Sequence, residues 1–139
     1  MIIFDFNRTL YDPEAGAAVP GAIELLGALR ARGEVLHLVS RLEPGREDIL
    51  ASLGLEDFFE RVSFVHDKEA AIGESMRGSN GAVYVVGDHL HDEIRAGNRH
   101  GAKTIWLRRG KFAELKPESL MDVPWRTIEH LGDVLSSLT

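Results

Sequence analysis

Short apolar runs alternate along this chain with longer amphipathic stretches, and no other feature restricts the fold as strongly. Residues 2–6 read as a buried strand. Residues 20–32 read as a helix, with Pro20 in its first turn, Ile23, Leu25, Leu26 and Leu29 on its apolar face, and Gly33 at its end. The same alternation predicts strands over 35–39, 61–65, 82–86 and 103–107, and helices over 44–53, 67–76, 92–100 and 128–138. Gly54 and Gly101 stop two of these helices, and Gly78, Ser79, Asn80 and Gly81 form a turn. The run 82–86 is the most continuously apolar, which puts it near the middle of a sheet. This order predicts an α/β fold: one three-layer, Rossmann-like domain over residues 1–139, its central, mostly parallel five-stranded sheet flanked by helices. Crossovers should be right-handed, and a ligand should lie outside the carboxyl ends of the strands.

Composition narrows the function. A chain of 139 residues fits one hydrophobic core, and 44% hydrophobic with 27% charged residues is ordinary for a globular protein. The net charge of −6 gives no broad electrostatic footprint for nucleic acid. The absence of cysteine removes disulfides and thiolate metal sites. No apolar run is long enough to span a bilayer, and the first residues lack the basic lead and cleavage site of a signal peptide. The expectation is a cytoplasmic protein with no membrane partner.

The residues worth reading are therefore those just after each strand. The first strand ends in Asp5, with Asn7 and Thr9 beyond it; the second ends in Ser40 and Arg41. The third is followed by His66, Asp67 and Lys68, and the fourth by Gly87 and Asp88, with Asp92 four residues on. All would meet at one rim. A carboxylate pair can hold Mg²⁺, a hard cation that prefers oxygen. A hydroxyl and an ammonium can neutralise phosphate oxygens. An aspartate can attack phosphorus and form an aspartyl-phosphate.

The order Asp, Ser, Lys, Asp over successive strands resembles the haloacid dehalogenase (HAD) superfamily. Its DxDxT motif corresponds to D-F-N-R-T in FDFNRTL, its strand-ending Ser or Thr to Ser40 in LHLVS, and its Lys to Lys68 in HDKEA. Its GD-x3-D motif corresponds to VYVVGDHLHDEIRAGNRHGA, which also carries the A-G-x-x-x-G helix ending at Ala96, Gly97 and Gly101. PGAIELLGALRARG looks like the family's first helix. The resemblance implies a Mg²⁺-dependent phosphatase acting on a phosphorylated substrate, small or macromolecular. Asp5 would be nucleophile and metal ligand, Asn7 would bind Mg²⁺ through its backbone carbonyl, and Asp88 would be the second carboxylate ligand. Asp92 would support the metal directly or through water. Ser40 and Lys68 would bind the phosphoryl group, Lys68 also holding Asp5, with Thr9 fixing the nucleophile loop and contributing, like Arg41, to the phosphate site.

Two departures from the pattern matter. The family's phosphatases usually carry Asp where this chain has Asn7. An amide cannot exchange a proton near neutral pH, and general acid–base catalysis is typically worth about 10²–10⁴ in rate. His89, His91 or Asp12 could supply the missing acid. The other expectation is a catalytically weak or inactive relative that binds a phosphorylated ligand or a partner protein. The second departure is size: neither the loop from Thr9 to Pro20 nor the span from Ser40 to Lys68 has room for a cap domain. This resembles the capless branch, in which a neighbouring copy of the chain could cover the open site. A phospho-accepting receiver is the third class, but it places the accepting Asp after its third strand and its Lys after the fifth. Arg41, Arg108, Arg109, Lys111 and Lys116 could form a basic rim or a solvated polar loop, and His89 and His91 could ligate a metal or cap the helix.

Overall fold

The computed structural model describes residues 1–138. Six strands form one sheet: β1 (Ile2–Phe4), β4 (Leu36–Arg41), β5 (Arg61–Val65), β6 (Tyr84–Gly87), β7 (Lys103–Leu107) and β8 (Arg126–Ile128). Their spatial order is β5-β4-β1-β6-β7-β8, and every pairing is parallel. A separate antiparallel hairpin, β2 (Tyr11–Asp12) and β3 (Ala17–Ala18), follows the first strand. Helices α1 (Ala22–Ala31), α2 (Arg46–Ser52), α3 (Lys68–Arg77), α4 (Arg95–Arg99) and α5 (Val134–Ser137) connect and cover the strands.

Side-chain alternation divides the core into two layers. Ile2, Phe4, Leu36, Leu38 and Val86 face the layer of Leu25, Leu26, Leu29 and Leu50 from α1 and α2. Ile3, Val39 and Val85 face the opposite layer, with Ile72 of α3 and Ala96 of α4. Gly97 lets α4 sit directly on the sheet, because a Cβ there would lie 2.7 Å from Thr104 Cγ2. His37 occupies the second layer, where its Nδ1 meets Ser75 Oγ at 3.0 Å and burial lowers its pKa. It is a structural histidine inside a strand.

The sheet has six strands where the alternation predicts five. The sixth, Arg126–Ile128, is three residues long, and only Ile128 of the three is buried. So short a run carries too little periodicity to separate it from a loop. The predicted helix over 128–138 is accordingly shorter: Ile128 ends the strand, and the helix begins at Val134 after a single 3₁₀ turn at Leu131–Asp133. The run 82–86 does lie at the centre, since β6 pairs with β1 and β7. Within the described residues, no helix is long and apolar enough to cross a membrane.

Candidate active site

Parallel strands deliver the predicted residues to one edge. Phe4 pairs with Leu38 and with Val86, so the chain leaves β1 at Asp5 beside Ser40 on β4 and Asp88 just past β6. After Asp5 the backbone coils back on itself. Phe6 O accepts from the N–H groups of Thr9, Leu10 and Tyr11, and the Phe6 and Tyr11 rings stack at 5.6 Å. Arg8 at the tip is held at φ 64°, a left-handed conformation that non-glycine residues adopt rarely. Asp88 is anchored from the next strand, where the Trp106 indole donates to its carbonyl at 2.9 Å.

Lys68 is the hub. The first residue of α3, it is capped by Asp67, whose side chain accepts from Ala70 N. Its ammonium is buried and lies 2.8 Å from Asp5 Oδ1, 2.7 Å from Glu93 Oε1 and 3.5 Å from Asp92 Oδ2. Burial alone would lower its pKa, but Asp5, Glu93 and Asp92 outweigh burial and hold it above the ordinary lysine range. Thr9 is fully buried and does not face the cleft. Its hydroxyl donates to Asp5 Oδ2 at 3.1 Å and lies 3.4 Å from Asp88 Oδ1, so it ties the two carboxylates together.

Glu93 is the site residue that motif spacing passes over. A π-helical turn, Leu90–Ile94, precedes α4 and carries Glu93 beneath Gly87, where a Cβ would collide with the glutamate side chain. There it is buried, with Oε2 accepting from His89 N at 2.7 Å. Its signal in the sequence is only the doublet Asp92–Glu93. His89 caps this turn, its ring accepting from His91 N at 3.1 Å.

The charges do not balance. Asp5, Asp88 and Glu93 bring carboxylate oxygens within 4.8 Å of one another, with one lysine among them. Burial, then Glu93 and Asp5, push Asp88 up to about 9; burial and Asp5 push Glu93 up to about 7 against the pull of Lys68. Asp88 Oδ2 is buried without a hydrogen-bond partner. An orphaned carboxylate oxygen in an all-oxygen cluster with surplus negative charge fits a divalent cation. Asp92 is turned partly away, pairing with Arg41 at 3.1 Å.

The cleft above has a volume of about 340 Å³ and is lined by Asp5, Asn7, Lys68, Asp88, Asp92 and Glu93, with Arg8, Arg41, Arg46, His89, His91 and Phe112. Ser40 is fully buried and does not line it; its hydroxyl accepts from Arg46 Nη1 at 3.2 Å. Of the basic rim read from the sequence, only Arg41 faces the cleft. Arg108 reaches back to Ala113 O and Arg109 pairs with Asp12, while Lys111 and Lys116 lie outside the lining. On the outer flank His91 Nδ1 meets Asp122 Oδ2 at 2.9 Å, and Arg95 grips both oxygens of Asp122 at 2.6 and 2.9 Å. Between His91, Glu118 and Asp122 the Arg95 guanidinium already pairs with both acids, so this cluster carries its own cation.

The chain is thus an α/β protein whose all-parallel sheet carries an Asp, Lys, Asp cluster at its carboxyl edge. Residues 58–134 match the model of the HAD-hydrolase-like family, and the chain belongs to that family. It is 34% identical over 128 residues to a glyceraldehyde 3-phosphate phosphatase of Methanopyrus kandleri, covering 84% of this chain and 54% of that protein. The chain spans about half the length of the curated relatives it matches. Its fold is similar to a haloacid dehalogenase-like hydrolase from Burkholderia xenovorans (TM-score 0.82, 19% identity, 97% of this chain and 94% of that one). It is also similar to the D,D-heptose 1,7-bisphosphate phosphatase of B. bronchiseptica, complexed with magnesium and phosphate (TM-score 0.75, 16% identity, 99% and 96%).

Proposed function

We propose that the chain is a phosphohydrolase that accepts the phosphoryl group of a phosphate ester on Asp5. The observation that carries this reading is the buried Asp5–Lys68–Glu93 hub beside the unpaired Asp88 oxygen. Asp5, Asp88 and Glu93 would hold a Mg²⁺ ion with the Asn7 carbonyl and Asp92, and the ion would draw charge off the phosphoryl oxygens. Lys68 keeps one Asp5 oxygen in place while Thr9 holds the other. An Asp5 oxygen attacks phosphorus, the bond to the leaving oxygen breaks, and that oxygen departs with the electron pair. Water then splits the aspartyl-phosphate, releasing phosphate and restoring the carboxylate. The relatives support a small phosphorylated substrate, with glyceraldehyde 3-phosphate the first to try.

Asn7 lines the cleft and can neither protonate the leaving oxygen nor activate water. It favours leaving groups that need no proton, such as aryl or acyl phosphates, and it supports the second reading of a weak enzyme that chiefly binds a phosphorylated ligand. Phosphate release from an aryl phosphate with Mg²⁺ separates the two. We expect slow turnover that Asp5→Asn abolishes and Asn7→Asp raises by about 10²–10⁴. Turnover that survives Asp5→Asn removes the nucleophile from Asp5.

A further inference from the structure

We infer that Arg46 is a further phosphoryl-binding residue of this cleft and that Ser40 positions it, an assignment that rests on the phosphohydrolase reading. The hydroxyl a phosphate would be expected to meet is not at the surface of the cavity. Ser40 is fully buried, and the Arg46 guanidinium stands against its oxygen, 3.2 Å away, while itself lining the cleft. Of this pair, Arg46 is the one that a ligand in the cleft can meet.

The charges around the cleft single out the same residue. Lys68 is engaged by Asp5 and Glu93, Arg41 by Asp92, and Arg8 by Glu14 outside the cleft at 2.8 Å. Among the described residues Arg46 is the cleft-lining cation that makes no ion pair. Both acceptors of its Nη1, Ser40 Oγ and Arg41 O, are neutral. With a divalent cation offsetting the remaining carboxylates, the incoming phosphoryl dianion would find Arg46 as its unspent positive partner. A planar guanidinium can give two parallel N–H groups to two phosphate oxygens, which a serine hydroxyl cannot. The Ser40 and Arg41 oxygens fix Nη1 and leave the remaining N–H groups for the ligand. Ser40 is then a positioning residue, and its place at the end of β4 sets where the guanidinium waits.

The competing role for Arg46 is purely structural, tying the 41–45 loop to α2. Calorimetric titration of inorganic phosphate into the full chain with saturating Mg²⁺ tells them apart. We expect Arg46→Gln to weaken phosphate binding by about tenfold or more, with Mg²⁺ affinity unchanged. Arg46→Lys, which keeps the charge and the loop contact, should recover part of that loss and serves as the test if the glutamine variant does not fold. Ser40→Ala should cost less than Arg46→Gln, and combining the two should cost little beyond Arg46→Gln alone. Wild-type phosphate affinity in both Arg46 variants, or a larger loss in Ser40→Ala, overturns the assignment and leaves the phosphohydrolase reading standing. No phosphate binding by the wild-type chain overturns both.

Discussion

Two clusters of acids flank the segment 90–95, and they meet opposite fates. On the inner side Asp5, Asp88 and Glu93 share one buried lysine, and Asp88 and Glu93 are pushed toward their protonated forms. On the outer side Asp122 is just as buried, yet it accepts from Arg95 through both oxygens, from Glu118 N and from His91. Those hydrogen bonds, Arg95 first, hold its carboxyl well below the usual range. Burial raises the carboxyl pKa in both clusters; at Asp122 the donated hydrogen bonds outweigh it, and at Asp88 and Glu93 they do not. The outer cluster is complete as it stands and braces the loop before β8 against α4. The inner cluster is short of positive charge, as a site that awaits a cation and an anion should be.

The largest effect should come from removing the one cation the inner acids share. Lys68→Met strands Asp5 and Glu93 in the interior, and uncompensated buried charge of this kind costs about 3–5 kcal/mol. We expect denaturant unfolding at pH 8 to show that loss and phosphate release to fall below detection. A variant as stable as wild type would mean that the inner acids are not charged against Lys68.

Asp88→Asn should act in the opposite direction. The pKa of Asp88 in the folded chain lies near 9, above its ordinary value of 3.8. Its stabilising share is therefore fully present below the ordinary carboxylate pKa and is lost as pH rises toward 9. In the presence of a chelator the wild-type unfolding midpoint should fall between pH 5 and pH 9, and Mg²⁺ should restore it more at pH 8 than at pH 6. The asparagine variant should be more stable than wild type at pH 8 without metal. It should gain nothing from Mg²⁺ and lose about 10²-fold or more in turnover. A Mg²⁺ response that survives the change would move the cation off Asp88.

The same contrast explains how much could be read from the residues alone. Asp5, Ser40, Lys68 and Asp88 are legible because each ends a strand or opens a helix, and period and parallel pairing bring such positions to one edge. Glu93 is not legible, because the motif spacing does not say which neighbour of Asp92 turns inward. In the structure the π-helical turn carries it under Gly87. Arg46 escapes for another reason: it sits six residues past Ser40 in a loop-to-helix junction, and nothing local says that its guanidinium reaches back to that hydroxyl. Asp122 lies in a polar loop whose composition reads as solvated, and its burial depends on Arg95, 27 residues away. Long-range partners of charged side chains leave no periodic trace.

The outer cluster yields the smallest effect and the cleanest control. Asp122→Asn keeps the shape but removes the charge that Arg95 and His91 share. Because Asp122 ionises more readily in the folded chain, its contribution is present above the ordinary carboxylate pKa and is lost as pH falls through its lowered value. The unfolding midpoint of the variant should therefore fall by roughly 3–6 °C at pH 7, and the gap to wild type should narrow toward pH 3. In the cleft that charge meets His91, which is not among the residues proposed to hold the metal, so the Mg²⁺-induced gain in midpoint should match wild type. If Asp122→Asn also removes the Mg²⁺ response, the two clusters are coupled through His91 and Asp92 along the π-helical turn. The outer one would then belong to the metal site, and its full complement of donors would be part of how the inner one is poised.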